Sequence, residues 1–136
     1  MSYSIIISQM LLALALGGMA GWQRERAGKK AGIRTHALVA FAATLFTCLS
    51  IHGFPGTDPG RVAAQILVGI GFIGAGTIMH KEDTIEGLTT AAGLWAVTAV
   101  GMMVGVGWFL EAVLATLLIS AVLFTDDHRL ANIVKG

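Results

Sequence analysis

One stretch decides the fold of this chain: residues 87–125 read GLTTAAGLWAVTAVGMMVGVGWFLEAVLATLLISAVLFT. Its 39 residues contain a single charged side chain, Glu111. An α-helix rises about 1.5 Å per residue and the hydrocarbon core of a bilayer is about 30 Å thick, so roughly 20 residues cross it once. The stretch is too apolar to lie in water and too long for one crossing. It therefore predicts two crossings, with a break near residues 105–107.

Three earlier runs, residues 1–23, 35–57 and 62–80, also lack Asp, Glu, Lys and Arg, and each is long enough to cross once. Because unpaired backbone amides are costly in lipid, such runs are helices or strands of closed barrels, and barrel strands alternate polar with apolar residues. None of these runs alternates in that way. We therefore predict an all-α membrane protein, a single domain over residues 1–136. The predicted spans are residues 4–22, 36–53, 62–80, 87–104 and 107–125.

Composition narrows the function classes. The 136 residues are 55% hydrophobic and 12% charged, with a net charge of +1 and a mean hydropathy of +0.77, so five spans leave no room for a soluble domain. The lone Cys48 argues against a disulfide framework or a cysteine metal site. The four histidines are scattered, and no nucleophile and base stand at a recognisable spacing. We expect neither an enzyme nor a cofactor, and no nucleic-acid partner.

The first apolar run resembles a signal peptide only in length. Its basic residues follow the apolar core instead of preceding it, which is typical of an uncleaved anchor.

Basic residues predict the orientation. With five spans, eight of the nine Lys and Arg residues fall on one side of the membrane, and Arg61 alone falls on the other. The eight are Arg24, Arg26, Lys29, Lys30, Arg34, Lys81, Arg129 and Lys135. Because basic residues favour the cytoplasmic side, the N-terminus is predicted outside and the C-terminus in the cytoplasm. An odd number of spans is required, since an even number would separate the basic first loop from the basic tail.

Small residues recur at four-residue spacing in three predicted helices, which lets helix backbones approach closely in lipid. The pairs are Gly17 with Gly21, Gly71 with Ala75, and Gly101 with Gly105. Two interpretations stay open: tight packing within one bundle, or a seam between copies of the chain. The glycines of residues 69–76 add a third, because a locally broken helix would expose carbonyls able to coordinate a cation.

The loops predict local contacts. Glu25 and Lys29 stand four residues apart, a spacing typical of a helical ion pair. Asp58 is expected to cap the third helix with Pro59 in its first turn, or to offer an oxygen to an incoming cation.

The third loop predicts the start of the fourth helix. Asp83 or Thr84 is expected to cap that helix, with Glu86 in its first turn. The alternative is an ion pair between Glu86 and the basic first loop.

Five segments of the sequence carry a resemblance to a known protein family. They are QRER at 23–26, AGIRTHALV at 31–39, DPGRVAAQI at 58–66, GIGFIGAGTI at 69–78 and GLTTAAGLW at 87–95. The chain resembles the MgtC/SapB family of bacterial inner-membrane proteins over most of residues 14–118. The resemblance implies a multi-pass protein of the bacterial inner membrane, linked to magnesium limitation, acid stress and intracellular survival. Some members are named magnesium transporters, and some regulate other membrane proteins, including the proton-driven ATP synthase.

Many members also carry a cytoplasmic C-terminal domain that resembles small-ligand-binding ACT modules. Because this sequence stops at Gly136, we expect that domain to be absent.

The family-like segments also place polar residues at helix ends, where pairing would lower the free-energy cost of membrane depth. We predict that they form one polar cluster that serves as an ion or partner site. Its members are Arg24, Glu25, Arg26, Arg34, Asp58, Arg61, Gln65, Glu86 and Thr90.

Two functions compete. The first is a regulator that packs with itself, as a homo-oligomer in the lipid bilayer, or with another membrane protein. The second is a transporter or channel for Mg²⁺ or another cation, which would need about six oxygen ligands. The candidate oxygens belong to Gln65, Thr77, Thr89, Thr90, Glu111 and the glycine-region carbonyls, and no metal ligands are assigned. Glu111 either snorkels to water at the outer interface or faces a cavity.

Overall fold

The computed structural model describes residues 3–125, and most of that part is helical. In chain order the elements are α1 (Tyr3–Arg26), α2 (Ile33–His52), α3 (Gly60–Ala75), β1 (Met79–Lys81), β2 (Thr84–Glu86), α4 (Leu88–Val106) and α5 (Phe109–Phe124). The two strands pair antiparallel as a small hairpin. The prediction of a helical protein with five helices is confirmed. Arg129 and Lys135, which count toward the predicted orientation, lie outside the described residues.

Three of the helices, α1, α2 and α4, are long and apolar enough to cross a membrane. Helices α3 and α5 are equally apolar but have 16 residues each. At about 1.5 Å per residue they extend roughly 24 Å, somewhat less than the hydrocarbon core.

A tight turn divides the long apolar stretch into α4 and α5. Gly107 adopts a φ of 89°, the left-handed conformation that ends many helices. The N–H of Trp108 donates to the Met103 carbonyl at 2.8 Å, and the N–H of Gly107 donates to the Val104 carbonyl at 3.1 Å. This pattern is a Schellman motif, which satisfies the last carbonyls of α4. The predicted break near residues 105–107 therefore falls within two residues of the observed one.

The end of α3 differs from the prediction, since the helix stops at Ala75 instead of continuing to His80. The Thr77 hydroxyl donates to the Gly74 carbonyl at 2.8 Å and closes the last turn. His80 then lies in the hairpin, opposite Ile85. A glycine-rich helix end is weak, because each glycine costs about 1 kcal/mol relative to alanine.

The predicted cap of α4 by Asp83 or Thr84 is wrong. The capping position belongs to Gly87, with a φ of 93° and no side-chain cap. A Cβ at Gly87 would collide with the Thr77 carbonyl oxygen, so only glycine fits this connection. Glu86 lies in strand β2 and not in the first turn of the helix.

Helices α1 and α2 run antiparallel and nearly touch. A Cβ at Gly17 would lie 2.8 Å from the Ala40 Cβ, and one at Gly21 would lie 2.7 Å from the Gly32 carbonyl oxygen. These distances are shorter than van der Waals contact, so the two positions require glycine. The start of α2 therefore lies beside the end of α1. We call this end, which carries Arg24, Arg26, Lys29, Lys30 and Arg34, the basic end of the bundle.

Helix α4 runs parallel to α2 and lies at the centre of the bundle. A Cβ at Gly105 would lie 2.6 Å from the Thr47 Cβ, and one at Gly101 would collide with the Ala40 carbonyl oxygen. Nine residues of α4 are buried, against two in α3. The core formed around α4 by α1, α2 and α5 is built from small and branched side chains. Its buried members are Ala13, Leu16, Ala20, Ala40, Val97, Val100, Val104 and Ala112.

The three predicted packing pairs therefore have two outcomes. Gly17, Gly21, Gly101 and Gly105 pack within the chain, as the bundle interpretation expects. In the third pair, Gly71 has open space at its Cβ position and Ala75 is exposed.

A glycine substitution separates these outcomes. Gly101→Val places a side chain against the α2 backbone, and overpacking of this kind costs about 1–3 kcal/mol. Gly71→Val meets nothing within 4 Å. We expect a lower melting temperature in detergent, followed by tryptophan fluorescence, for Gly101→Val and an unchanged or higher value for Gly71→Val. Equal melting temperatures would contradict the close contact between α2 and α4.

Candidate functional site

A buried guanidinium marks the basic end of the bundle. Arg24, in the last turn of α1, is 4% exposed, and its Nη2 donates to the Thr90 hydroxyl of α4 at 2.7 Å. Thr90 is 2% exposed. Because an arginine is charged at all relevant pH values, burying it among apolar helices is costly unless its donors are satisfied. A positive charge at a helix C-terminus is also favourable to the helix dipole. Arg24 therefore joins the end of α1 to the start of α4.

The neighbouring carboxylate closes the first loop. The Glu25 Oε2 accepts from the Ile33 N–H at 2.8 Å, so an α1 side chain satisfies one of the orphan amides at the start of α2. A Cβ at Gly32 would lie 2.5 Å from that same oxygen, and glycine is needed there for the carboxylate to approach. The predicted Glu25–Lys29 ion pair does not form, because α1 ends at Arg26 and the carboxylate is used by α2.

His36 lies behind this junction, and the sequence reasoning did not single it out. Its ring is fully buried, and Nδ1 donates to the Gly32 carbonyl at 3.0 Å. In that tautomer Nε2 is an acceptor, and it has no hydrogen-bond partner among residues 3–125. Gly93 of α4 lies close to this atom, since a Cβ there would be 3.4 Å from Nε2. We call Arg24, Thr90, Glu25 and His36 the polar junction.

A second polar contact, also missed from the sequence, lies at the opposite end. Gln9 is 3% exposed, and its Nε2 donates to the Val104 carbonyl at 2.9 Å in the last turn of α4. The Cys48 thiol approaches the Gln9 Oε1 at 3.6 Å. A lone amide inside an apolar run was the signal that could have identified Gln9, because polar groups at membrane depth require partners.

Of the remaining predicted residues, Arg34 lines a cleft together with Glu25, and the others are spread over the molecule. The Arg26 guanidinium lies 4.2 Å from the centre of the Trp22 ring, and that ring contacts Phe124 edge-on at 6.0 Å. Arg34 is exposed in the first turn of α2.

At the opposite end, the Asp58 carboxylate accepts from the Gly60 N–H at 2.8 Å. The predicted cap is displaced by one residue, because Pro59 and not Asp58 holds the capping position of α3. Arg61 and Gln65 follow on α3 and are exposed.

Glu86 pairs within its own hairpin. The Lys81 ammonium donates to the Glu86 Oε1 at 2.8 Å, and the two side chains are more than half exposed. This hydrogen bond and the charge of Lys81 hold the pKa of the Glu86 carboxyl below its usual range, and the charges of Lys29 and Lys30 act in the same direction. The contribution of the pair is therefore present above the ordinary carboxyl pKa and is lost as pH falls through the lowered one. Such exposed pairs contribute little to stability.

The polar junction predicts a sharp difference between two adjacent threonines. Thr90→Val keeps the shape of the side chain but removes an acceptor from buried Arg24, which costs about 1–3 kcal/mol. Thr89→Val is the control, because Thr89 is exposed. We expect a lower melting temperature in detergent for Thr90→Val alone. Equal effects of the two substitutions would show that the Arg24 contact contributes nothing to stability.

Comparison with known proteins identifies the family of this chain. The MgtC family model matches residues 10–129. "Putative magnesium transporter YhiD" of Escherichia coli K12 is 40% identical over 143 residues, which cover 97% of this chain and 66% of that protein. "Protein MgtC" of Salmonella typhimurium strain 14028s is 44% identical over 113 residues, or 83% of this chain and 48% of that protein. An uncharacterized protein of Haemophilus influenzae is 44% identical over 125 residues, covering 85% and 52% respectively.

No solved structure matches the chain. The chain spans about half to two thirds of the length of these relatives. With a family match over most of its length and 40–44% identity to these relatives, the chain belongs to the MgtC family.

Proposed function

We propose that this protein acts in magnesium homeostasis from the bacterial inner membrane, by packing with membrane partners. The link to magnesium rests on the family and on the name "Putative magnesium transporter YhiD". The mode of action rests on the surface of α3.

The proposed topology has five crossings, the N-terminus outside and the C-terminus in the cytoplasm. Its support is the charge of the two ends. The basic end carries the loop of residues 27–32 and the hairpin, with Lys29, Lys30 and Lys81, while the opposite end carries Arg61. Basic residues favour the cytoplasmic side. In this proposal the short helices α3 and α5 also cross the membrane, and the residues next to their ends span the remaining depth.

The observation that carries the proposal is the outward face of α3. Ala64, Val68, Gly71 and Ala75 follow each other at intervals of four, three and four residues, which places them on one side of a helix. All four are exposed, and a Cβ at Gly71 would meet no atom within 4 Å. In lipid, small residues at this spacing allow a second helix to approach closely, and van der Waals packing then drives association. We call these four residues the α3 face.

The carboxylates support packing over ion passage. Two of them lie on the described helices: Glu25 is used by the α2 amide, and Glu111 is exposed in the first turn of α5. A dehydrated Mg²⁺ would need about six oxygens in octahedral geometry. Among residues 3–125 no group of three His, Cys, Asp or Glu side chains is placed to hold a metal ion. The alternative, cation transport, is favoured by the name of the E. coli relative.

Cross-linking tests the α3 face. In a Cys48→Ala background, Val68→Cys places a thiol on that face, and Leu118→Cys is the matched control on α5, since the two native side chains are 68% and 69% exposed. We expect a bismaleimide added to native membranes to give an adduct of defined mass for Val68→Cys alone. A mass of twice the chain identifies a second copy, and another mass identifies a different membrane protein. Adding Gly71→Leu should abolish the adduct. Equal cross-linking of both positions would overturn the proposal.

Magnesium flux decides between the two functions. We expect liposomes containing the purified protein to take up no more Mg²⁺ than empty liposomes. Uptake above that level, reduced by Gln65→Ala, would replace the packing proposal with transport. A test of the homeostasis link is growth of a deletion strain in limiting magnesium, which the wild-type chain should restore and the Gly71→Leu variant should not.

A further inference from the structure

An apolar groove separates α2 from α3 on the side of α3 away from its outward face. Its volume is about 660 Å³, within the range of roughly 300–1,000 Å³ typical of ligand sites. The walls are formed mainly by apolar side chains, including Leu38, Val39 and Phe46 on α2 and Ile66 and Ile73 on α3. Gly69 lies in the wall, and a Cβ there would meet no atom within 4 Å. The two helices therefore leave a gap that the chain's own side chains do not fill.

A basic cleft opens at one end of this groove. It is lined by the first loop and the start of α2, where Lys29, Lys30 and Arg34 carry three positive charges beside Glu25. Arg34 and Thr35 line both the cleft and the groove, so the two are continuous. The one ion pair among residues 3–125 joins Lys81 to Glu86, and the three cations of the cleft take no part in it.

The carboxylates of Glu25 and Glu86, near the cleft, already have hydrogen-bond donors. The Glu25 carboxylate accepts from the Ile33 amide, and the Glu86 carboxylate accepts from Lys81. Lys30 donates to the Met79 sulfur at 2.8 Å, a neutral and weak acceptor. The cleft itself holds three cations and one carboxylate. The cleft therefore keeps an excess of positive charge, which is complementary to an anion.

We propose that the groove and the cleft together bind one anionic phospholipid. Its phosphate lies against Arg34, Lys29 and Lys30, and one acyl chain follows the groove between α2 and α3. A guanidinium can hold a phosphate through two parallel hydrogen bonds, and the lysines add point charges.

The dimensions agree with this occupant. From Arg34 to Phe46 the groove follows α2 for 12 residues, or roughly 18 Å at 1.5 Å per residue. One leaflet of the hydrocarbon core is about 15 Å deep, so an acyl chain fits along this length. Arg34 is the second residue of α2, at the level where lipid phosphates are expected in the proposed topology.

This inference goes beyond the proposed function and uses a different surface. The residues of the groove, Val62, Ile66, Gly69 and Ile73, lie on the side of α3 opposite Gly71. Cross-linking through the α3 face and lipid binding in the groove can therefore succeed or fail independently.

Native mass spectrometry of the purified protein with added lipid tests the proposal. We expect one phosphatidylglycerol per chain to be retained, and phosphatidylcholine to be retained less. Arg34→Gln should weaken phosphatidylglycerol retention about tenfold, since it removes a charged hydrogen-bond donor. The control is Arg61→Gln, which removes the same charge at the opposite end of the bundle and should change nothing. Equal losses in the two variants would mean non-specific attraction to charge and would overturn the site.

A second variant tests the groove without changing charge. Ala42 lies in the groove wall, and Ala42→Phe should fill the space meant for the acyl chain and reduce retention severalfold. An unchanged melting temperature in detergent is the check that this variant folds. Two results would overturn the acyl-chain part of the proposal. One is retention that survives Ala42→Phe. The other is displacement of bound phosphatidylglycerol by inorganic phosphate as effectively as by added phosphatidylglycerol. A protein helix found in the groove by cross-linking through Ala42→Cys would overturn it altogether.

Discussion

The structure depends on the close approach of α2 to two neighbours at once. Ala40 of α2 lies between Gly17 of α1 and Gly101 of α4, and neither glycine position has room for a Cβ. In lipid the hydrophobic effect does not hold helices together, so contact between backbones and hydrogen bonds across helices must do so. The Thr44 hydroxyl supplies one such bond, donating to the Gly101 carbonyl at 2.7 Å. The three long apolar helices, α1, α2 and α4, are joined in this way, with α2 in contact with both others.

The positions of the polar residues also follow from the lipid environment. Where water is scarce, the amides and carbonyls at helix ends must be satisfied by side chains. Gln9, which is buried, does this at the end of α4, and the exposed Glu25 satisfies an amide at the start of α2. Both side chains reach from α1. Arg24 adds a charged contact from α1 to Thr90. Gln9 and Arg24 join helix ends that are far apart in sequence, while Glu25 joins neighbouring ones. These polar residues therefore have a structural role beside any function.

Helix α3 differs from the other helices and carries both proposals. It contributes only Ile70 and Gly74 to the buried residues, and it ends early at a glycine-rich turn that leads into the hairpin. One side faces the groove and the other presents the α3 face, so a helix loosely packed against its own chain is available to lipid and to protein. The tight contacts around α4 provide a rigid frame for it. Tight packing and partner binding fall on different helices, because a position that is already packed cannot accept a partner.

The sequence by itself determined the number of helices and the break between α4 and α5, because the length of an apolar run limits how often it crosses a bilayer. It also marked Gly17, Gly21, Gly101 and Gly105 as contact positions through their spacing. It could not decide that Gly71 faces outward while these four face inward, since spacing defines a face and not its neighbour. The short hairpin at Met79–Glu86 also escaped, because strands of three residues leave no periodic signal. Only the tertiary structure brought Arg24 to Thr90, 66 positions away, and exposed the groove beside Arg34. Such contacts depend on how helices are arranged in space, which no local pattern records.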